Sequence, residues 1–236
     1  MGLDQLGERA KVLMETLRLS QVDKLLDLET IAFGSMTTAS FARKILAGIR
    51  VVADDGQISL TPKLRVQIAM EVARVGRLKD AAQFLTWQEF EKFAEECLRE
   101  AGFRTLGNLR VKGDGRAWQI DLVGYRGELV IAIDCKHWNS PSYTSRFKLA
   151  ANHQRQATMH FLETLGEKMT EGTERLQALA VVLTLREPRA QSSNGAVLVS
   201  VDKLPSFLAG ATPYDVTLPL IRSGSSDVEN PMSQSG

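Results

Sequence analysis

Cysteine is nearly missing from this chain: Cys97 and Cys135 are the two in 236 residues, and neither sits in a C-x-x-C pair. That excludes a disulfide framework and cysteine-based zinc chemistry, and leaves two reduced thiols as the expectation. No apolar run approaches the ~20 residues that span a bilayer. The segment from Met1 to Ala10 is charged and lacks the apolar stretch of a signal peptide, so the expected location is cytoplasmic, away from any membrane. Aromatic residues make up 6% of the chain, and no cluster of them marks a platform for stacking bases. An excess of one charge is missing too. Lys and Arg number 29 against 28 Asp and Glu, a formal net charge of +1, which excludes a chain coated with basic residues for indiscriminate binding to nucleic acid. What is present, 44% hydrophobic and 24% charged residues, is ordinary for a folded globular protein.

The pattern along the chain divides it. Leu6, Ala10, Leu13, Met14 and Leu17 recur at helical spacing, and Ser20 is placed to cap a second helix carrying Val22, Leu25, Leu26 and Ile31. Thr37 to Ser40 opens a third helix with Arg43 and Lys44 on its polar faces. A hairpin from Val51-Val52-Ala53 through Asp54-Asp55-Gly56 to Ile58-Ser59-Leu60 follows, and then a helix begins at Pro62. This order suggests a helical, winged-helix-like domain over residues 1–80, with Arg43 and Lys44 as candidate DNA contacts.

Thr86 with Glu89 forms a capping box, opening a helix whose apolar face is Phe90, Ala94, Cys97, Leu98 and Ala101 and which closes at Gly102. A polar, Gly-rich loop is expected from Gly107 to Gly115. Strands follow around Trp118–Val123 and over Leu129–Cys135, then a helix over residues 147–165, strands at Ala178–Leu185 and Ala196–Val201, and a short helix at Leu204–Ala209. The fold class is therefore α/β (α+β): a mixed sheet flanked by helices over residues 81–210, with 211–236 as an extension whose tail, rich in Ser, Asn and Gly from Ser223, is expected to be disordered.

The chemistry concentrates in Ile120-Asp121-Leu122-Val123 and Ile131-Ala132-Ile133-Asp134-Cys135-Lys136. Strand residues two apart share a face, so Asp134 and Lys136 emerge together while Cys135 enters the opposite packing layer. If the two strands pair through the turn near Arg126, Asp121 comes within reach of Asp134. Two carboxylates brought together repel, and a hard divalent cation, Mg2+ or Mn2+, is the economical compensation. The simpler alternative, an isolated Asp134–Lys136 surface pair, leaves Asp121 and the apolar run before Asp134 unexplained. His137, His153 and His160 have no matching ligand set for a histidine metal site.

Asp121, then Asp134-Cys135-Lys136 on a hairpin, preceded by a Phe90-Glu91 helix ending in Glu100-Ala101-Gly102-Phe103, resembles the PD-(D/E)XK nuclease superfamily, and most closely the catalytic domains of Mrr-type restriction endonucleases and archaeal-type junction resolvases. The resemblance covers roughly residues 86–201. It implies that Asp121 and Asp134 bind metal with the backbone carbonyl of Cys135, that Lys136 is the catalytic lysine, and that Glu91 completes the metal shell, directly or through water. At 100° per residue Glu91 borders the apolar face while Glu89 and Glu96 point away, with Glu95 as the nearest competitor. The family more often has Glu at the position of Asp134, and it tends to be Gly-rich where this chain has Trp118-Gln119-Ile120. Lys112, Arg116, His137, Trp138, Gln154 and Arg155 are further candidates for DNA contact.

Residues 104–155 hold nine basic and four acidic side chains, a local excess of +5 hidden by the acidic segments on either side. The resulting expectation is a Mg2+- or Mn2+-dependent DNA endonuclease of restriction or repair, with DNA, a second copy of the chain, and a helicase or repair protein as candidate partners. The alternative is a nuclease-like fold kept for binding only, as a DNA-binding or accessory protein.

Overall fold

The structure is a computed structural model that describes residues 3–138, 144–166 and 176–222. Among these residues the N-terminal part runs α1 (Leu3–Leu19), β1 (Leu25–Asp27), α2 (Leu28–Gly34), α3 (Ala39–Ala47), β2 (Gln57–Ser59), α4 (Pro62–Ala73) and α5 (Leu78–Ala82). The cap residues do what their chemistry allows. Asp27, Thr38 and Thr61 each accept a hydrogen bond from a first-turn backbone N–H, of Thr30, Phe41 and Leu64 respectively.

Two expectations in this region are corrected. No helix runs on from Ser20: Val22 is exposed, Leu25–Asp27 is extended, and Asp27 caps a shorter helix. The reason is that Asp27 competes with the helix interior for the backbone N–H of Thr30. The hairpin is also different. The Asp-Gly turn forms, with Asp55 and Gly56 both at positive φ and a bridge from Asp54 to Gln57, but β2 pairs antiparallel with β1 rather than with residues 51–53. Leu26 and Ile58, paired across that ribbon, are both buried, so long-range burial outweighs the local pairing.

The second part runs α6 (Trp87–Glu100), β3 (Arg104–Gly113), β4 (Arg116–Arg126), β5 (Leu129–Lys136), α7 (Thr144–Phe161), a π-helical turn (Leu162–Gly166), β6 (Gln177–Thr184), β7 (Ser192–Ser193), β8 (Ala196–Ser200), a 3-10 turn (Val201–Lys203), α8 (Leu204–Gly210) and β9 (Ile221–Arg222). The sheet order is β3-β4-β5-β6-β8-β7, with β9 against the start of β6. Strands β5, β6 and β8 are mutually parallel and the rest antiparallel. The stretch expected to be a Gly-rich loop, 107–115, is mostly strand. Its polar side chains lie on an edge strand open to solvent, and the turn is confined to Asp114 and Gly115 at positive φ. The disordered tail expected from Ser223 lies outside the described residues.

Strands β5 and β6 are covered on both faces, which is why they read as continuous apolar runs. Leu129, Ile131 and Ile133 of β5 point into one layer with α6 and α8, and Val130 and Ala132 point into the other with α7. The first layer continues without a break into the buried residues of α1 to α5, among them Leu13, Leu17, Ile31 and Ile68. Arg65 of α4 clamps this junction. Its guanidinium pairs with Glu89 of α6 at 2.8 Å and also donates to Ser20 and to the carbonyls of Leu17 and Phe84.

Candidate active site

The site forms where the β4–β5 ladder ends. The register pairs Leu122 with Ile133, so Asp121 and Asp134 come next on their strands. The ladder stops there, and the Asp121 carboxylate accepts the backbone N–H of Cys135 at 2.9 Å in place of a strand partner. The alternation of β4 breaks at the same residue. Ile120 packs into the α7 layer and Leu122 into the α6 layer although they are two apart, and Asn108 beside them on β3 has a positive φ of 54°. Breaks of this kind re-aim a side chain near a site.

Asp134 is 8% exposed and its carboxylate meets the Lys136 ammonium at 2.8 Å. Burial pushes the Asp134 carboxyl up to about 6 against the pull of Lys136, with Asp121 adding to the rise. Burial lowers Lys136, but Asp134 more than reverses this, and its ammonium is held charged. Glu91 on α6 is pushed up to about 7, first by burial and then by Asp121, with Asp134 contributing and Lys92 and Lys136 opposing. The other acids of α6 are engaged elsewhere. Glu89 closes the capping box and pairs with Arg65, and Glu95 pairs with Lys92 and Arg99 and accepts from Thr105. Cys135 faces the opposite layer, where burial raises its thiol.

Gln119, Asp121, Asp134, Lys136, Trp138, Arg146, Leu149, Ala150 and His153 line a cleft of about 520 Å³. Of the further candidates, Trp138 is in this cleft. Arg116 stacks on the Trp118 ring at 3.5 Å, and that ring also meets His153 at 5.2 Å. His153 is lowered by partial burial and then by Lys136 and Arg116. Lys112 lies exposed on β3 beside the same hairpin. His137 is turned away, with Nε2 at 3.0 Å from the Ala82 carbonyl and its ring edge-on to Phe90. Gln154 is fully buried beneath α7 with both amide atoms unpartnered, and Arg155 lies against Met159 and Gly195. Arg43 and Lys44 are exposed on α3 in the N-terminal part. Gln119, Arg146 and Leu149 were not singled out from the sequence. Gln119 was recoverable as the residue two before Asp121, but the approach of α7 to the strand ends carries no local signal.

Carboxylate and carbonyl oxygens are the donors a hard divalent cation takes, and Asp134 and Glu91 are raised first by burial and then by neighbouring carboxylate charge, a penalty that such a cation would offset. Among the described residues no group of three or more His, Cys, Asp or Glu side chains forms a ready-made metal cage. Mg2+ does not demand one, because it is bound through one or two carboxylates with water and substrate phosphate completing the shell.

A mixed sheet between helices, with Asp121 and Asp134-x-Lys136 at the end of its central hairpin, defines a protein of the restriction-endonuclease-like class. Residues 82–178 match the family model of the Mrr catalytic domain, described as a restriction endonuclease. That match agrees with the resemblance of residues 86–201 to the PD-(D/E)XK group. Among solved structures the chain is similar to a protein of unknown function, AF1548, with 21% identity and a TM-score of 0.34 over 49% of this chain and 58% of that one. It is also similar to VC1899 from Vibrio cholerae, with 13% identity and a TM-score of 0.36 over 87% of this chain and 53% of that one. The chain thus spans little more than half the length of these two proteins. No curated protein matches it.

Proposed function

We propose that this chain is a Mg2+- or Mn2+-dependent DNA endonuclease that hydrolyses phosphodiester bonds with water as the nucleophile. The observation that carries the reading is the Asp121 carboxylate seated on the Cys135 N–H beside the Asp134–Lys136 pair, with Glu91 close enough to feel both acids. Asp121, Asp134, the Cys135 carbonyl and Glu91 are the groups that would hold the metal, which when bound supplies an acidified water and positive charge against the phosphate. Lys136 keeps its proton beside Asp134 and presents it to the cleft, where it offsets negative charge growing on the phosphoryl oxygens. The hydrogen bond from Cys135 N–H and the ion pair to Lys136 hold the two carboxylates in place before substrate arrives.

Residues 1–80 form, in this reading, a winged-helix-like module that presents Arg43 and Lys44 to DNA, residues 81–210 form the catalytic domain, and 211–236 form an extension. A second copy of the chain and a helicase or repair protein are its proposed partners, and the cytoplasm its proposed location. No helix among the described residues is long and apolar enough to cross a membrane. In a plasmid-cleavage assay with Mg2+ or Mn2+, Asp134→Ala and Lys136→Ala are expected to abolish nicking; unchanged cleavage by both sinks the assignment. A second reading, a nuclease-like fold retained for DNA binding, is favoured by one feature, the closed Asp134–Lys136 pair. Calorimetry separates the two, since DNA binding without divalent-metal binding in the millimolar range supports the second.

A further inference from the structure

We propose that the cleft contains a subsite for one unpaired nucleobase, built on Trp138 and Leu149, so that the preferred substrate is single-stranded or locally unpaired at the scissile phosphate. The proposal rests on the nuclease reading and specifies its substrate.

Trp138 follows Lys136 by two residues and lines the same cleft, while His137 between them is turned toward α5 and α6. In extended chain that spacing is at most ~7 Å. The backbone after the lysine is fixed, because Trp138 N–H donates to the Lys136 carbonyl at 2.8 Å. The indole itself is braced by Phe147 of α7, edge-on with ring centres 5.3 Å apart, and it remains only half-buried. Leu149, which lines the same cleft, is 72% exposed, on a helix whose core contacts are made by Phe147, Ala150 and Ala151. A half-buried indole and an exposed leucine, lining the same cleft as the groups that would engage a phosphate, give it an apolar surface that phosphate contacts do not explain. Every base has an apolar face and stacks on such a surface whatever its identity. A base in duplex must first be unstacked and unpaired, at a cost of a few kcal/mol that a loop or single strand avoids.

Fluorescence anisotropy on the full chain in EDTA, with a labelled single strand, a matched duplex, and the same duplex carrying an internal unpaired loop, reads the preference directly. The wild type is expected to bind the single strand and the loop at least tenfold more tightly than the duplex. Trp138→Ala should lose roughly 5- to 150-fold in affinity for the unpaired substrates and little for the duplex, whereas Trp138→Phe retains most of the preference. A 2-aminopurine in the loop should be quenched by the wild type and not by Trp138→Ala, with circular dichroism confirming that both variants fold. Equal affinity for duplex and loop in the wild type overturns the proposal, as does a preference that survives Trp138→Ala, or a change of oligomeric state in Leu149→Ala with nucleic-acid affinities intact. Duplex cleavage with Mn2+ in the same preparation separates the outcomes: cleavage without a loop preference refutes the subsite alone, and neither cleavage nor binding refutes the nuclease reading with it.

Discussion

Replacing Arg65 by Met should be among the most damaging single changes outside the site. Arg65 is 6% exposed and Glu89 5%, and the ion pair between them is 2.8 Å long. Methionine fills much of the volume, so the loss is mainly electrostatic. The Glu89 carboxylate keeps the Thr86 N–H of the capping box at 2.8 Å and loses its buried counter-charge, while the carbonyls of Leu17 and Phe84 lose a donor. Breaking one side of a buried pair costs about 3–5 kcal/mol, against a total stability of about 5–15 kcal/mol for a typical protein. Urea unfolding followed by circular dichroism should show the midpoint falling by about 1–2 M. Glu89→Gln preserves the capping geometry and removes the stranded charge, so adding it to Arg65→Met should recover a large part of the loss. A loss below about 1 kcal/mol for Arg65→Met, or strict additivity in the double variant, would refute the claim that this pair joins α4 to α6. Because α6 carries Glu91, the same variant should also lower cleavage without altering any side chain in the cleft.

Other expectations concern pH. Asp134 and Glu91 titrate higher in the folded protein than in the unfolded chain, so the metal-free protein binds more protons when folded and is favoured at low pH. That contribution falls as pH rises from about 4 through 6 for Asp134, where it amounts to roughly 3 kcal/mol at most. Thermal melting at pH 8 should therefore show Asp134→Asn more stable than the metal-free wild type, with the gap closing near pH 4. Millimolar Mg2+ should raise the Tm of the wild type at pH 8 and leave Asp134→Asn nearly unchanged; no metal effect on the wild type would contradict the ligand assignment. His160 runs the other way. Burial lowers it, but hydrogen bonds donated by its ring to the Glu163 and Asp114 carboxylates, each 3.0 Å away, raise it overall, so its stabilisation is complete below the unfolded pKa and is lost as pH climbs through the folded value. His160→Gln should destabilise more at pH 5.5 than at pH 8.5, and equal losses at both would refute the charged bridge.

The amino-acid sequence by itself determined the elements and residues whose causes are local. The capping box of Thr86 and Glu89, the Pro62 helix start, the alternation through Ile133-Asp134-Cys135-Lys136 and the Asp54-Asp55-Gly56 turn all act within a few residues, and each forms as expected. The helical spacing of α6 was only partly legible: Glu91 is half-buried at the border of the apolar face, but Glu89, expected to point away, is buried because Arg65 of α4 meets it there, and the partners of Glu95, namely Lys92, Arg99 and Thr105, come into place only in the folded chain. Tertiary structure decided the rest, because it depends on surfaces distant in the chain. β2 pairs with β1 because Leu26 and Ile58 are buried together, a contact that the Asp-Gly turn could not announce. His137 points to Ala82 and Trp138 into the cleft because α5 and α7 approach the end of β5 from opposite sides. Scarcity of aromatic residues argued from composition against a stacking surface, and in composition it remains true. That Trp138 follows Lys136 was plain in the sequence; that its indole packs on Phe147 and lines the cleft while His137 turns away is a matter of packing, and only the folded chain decides it.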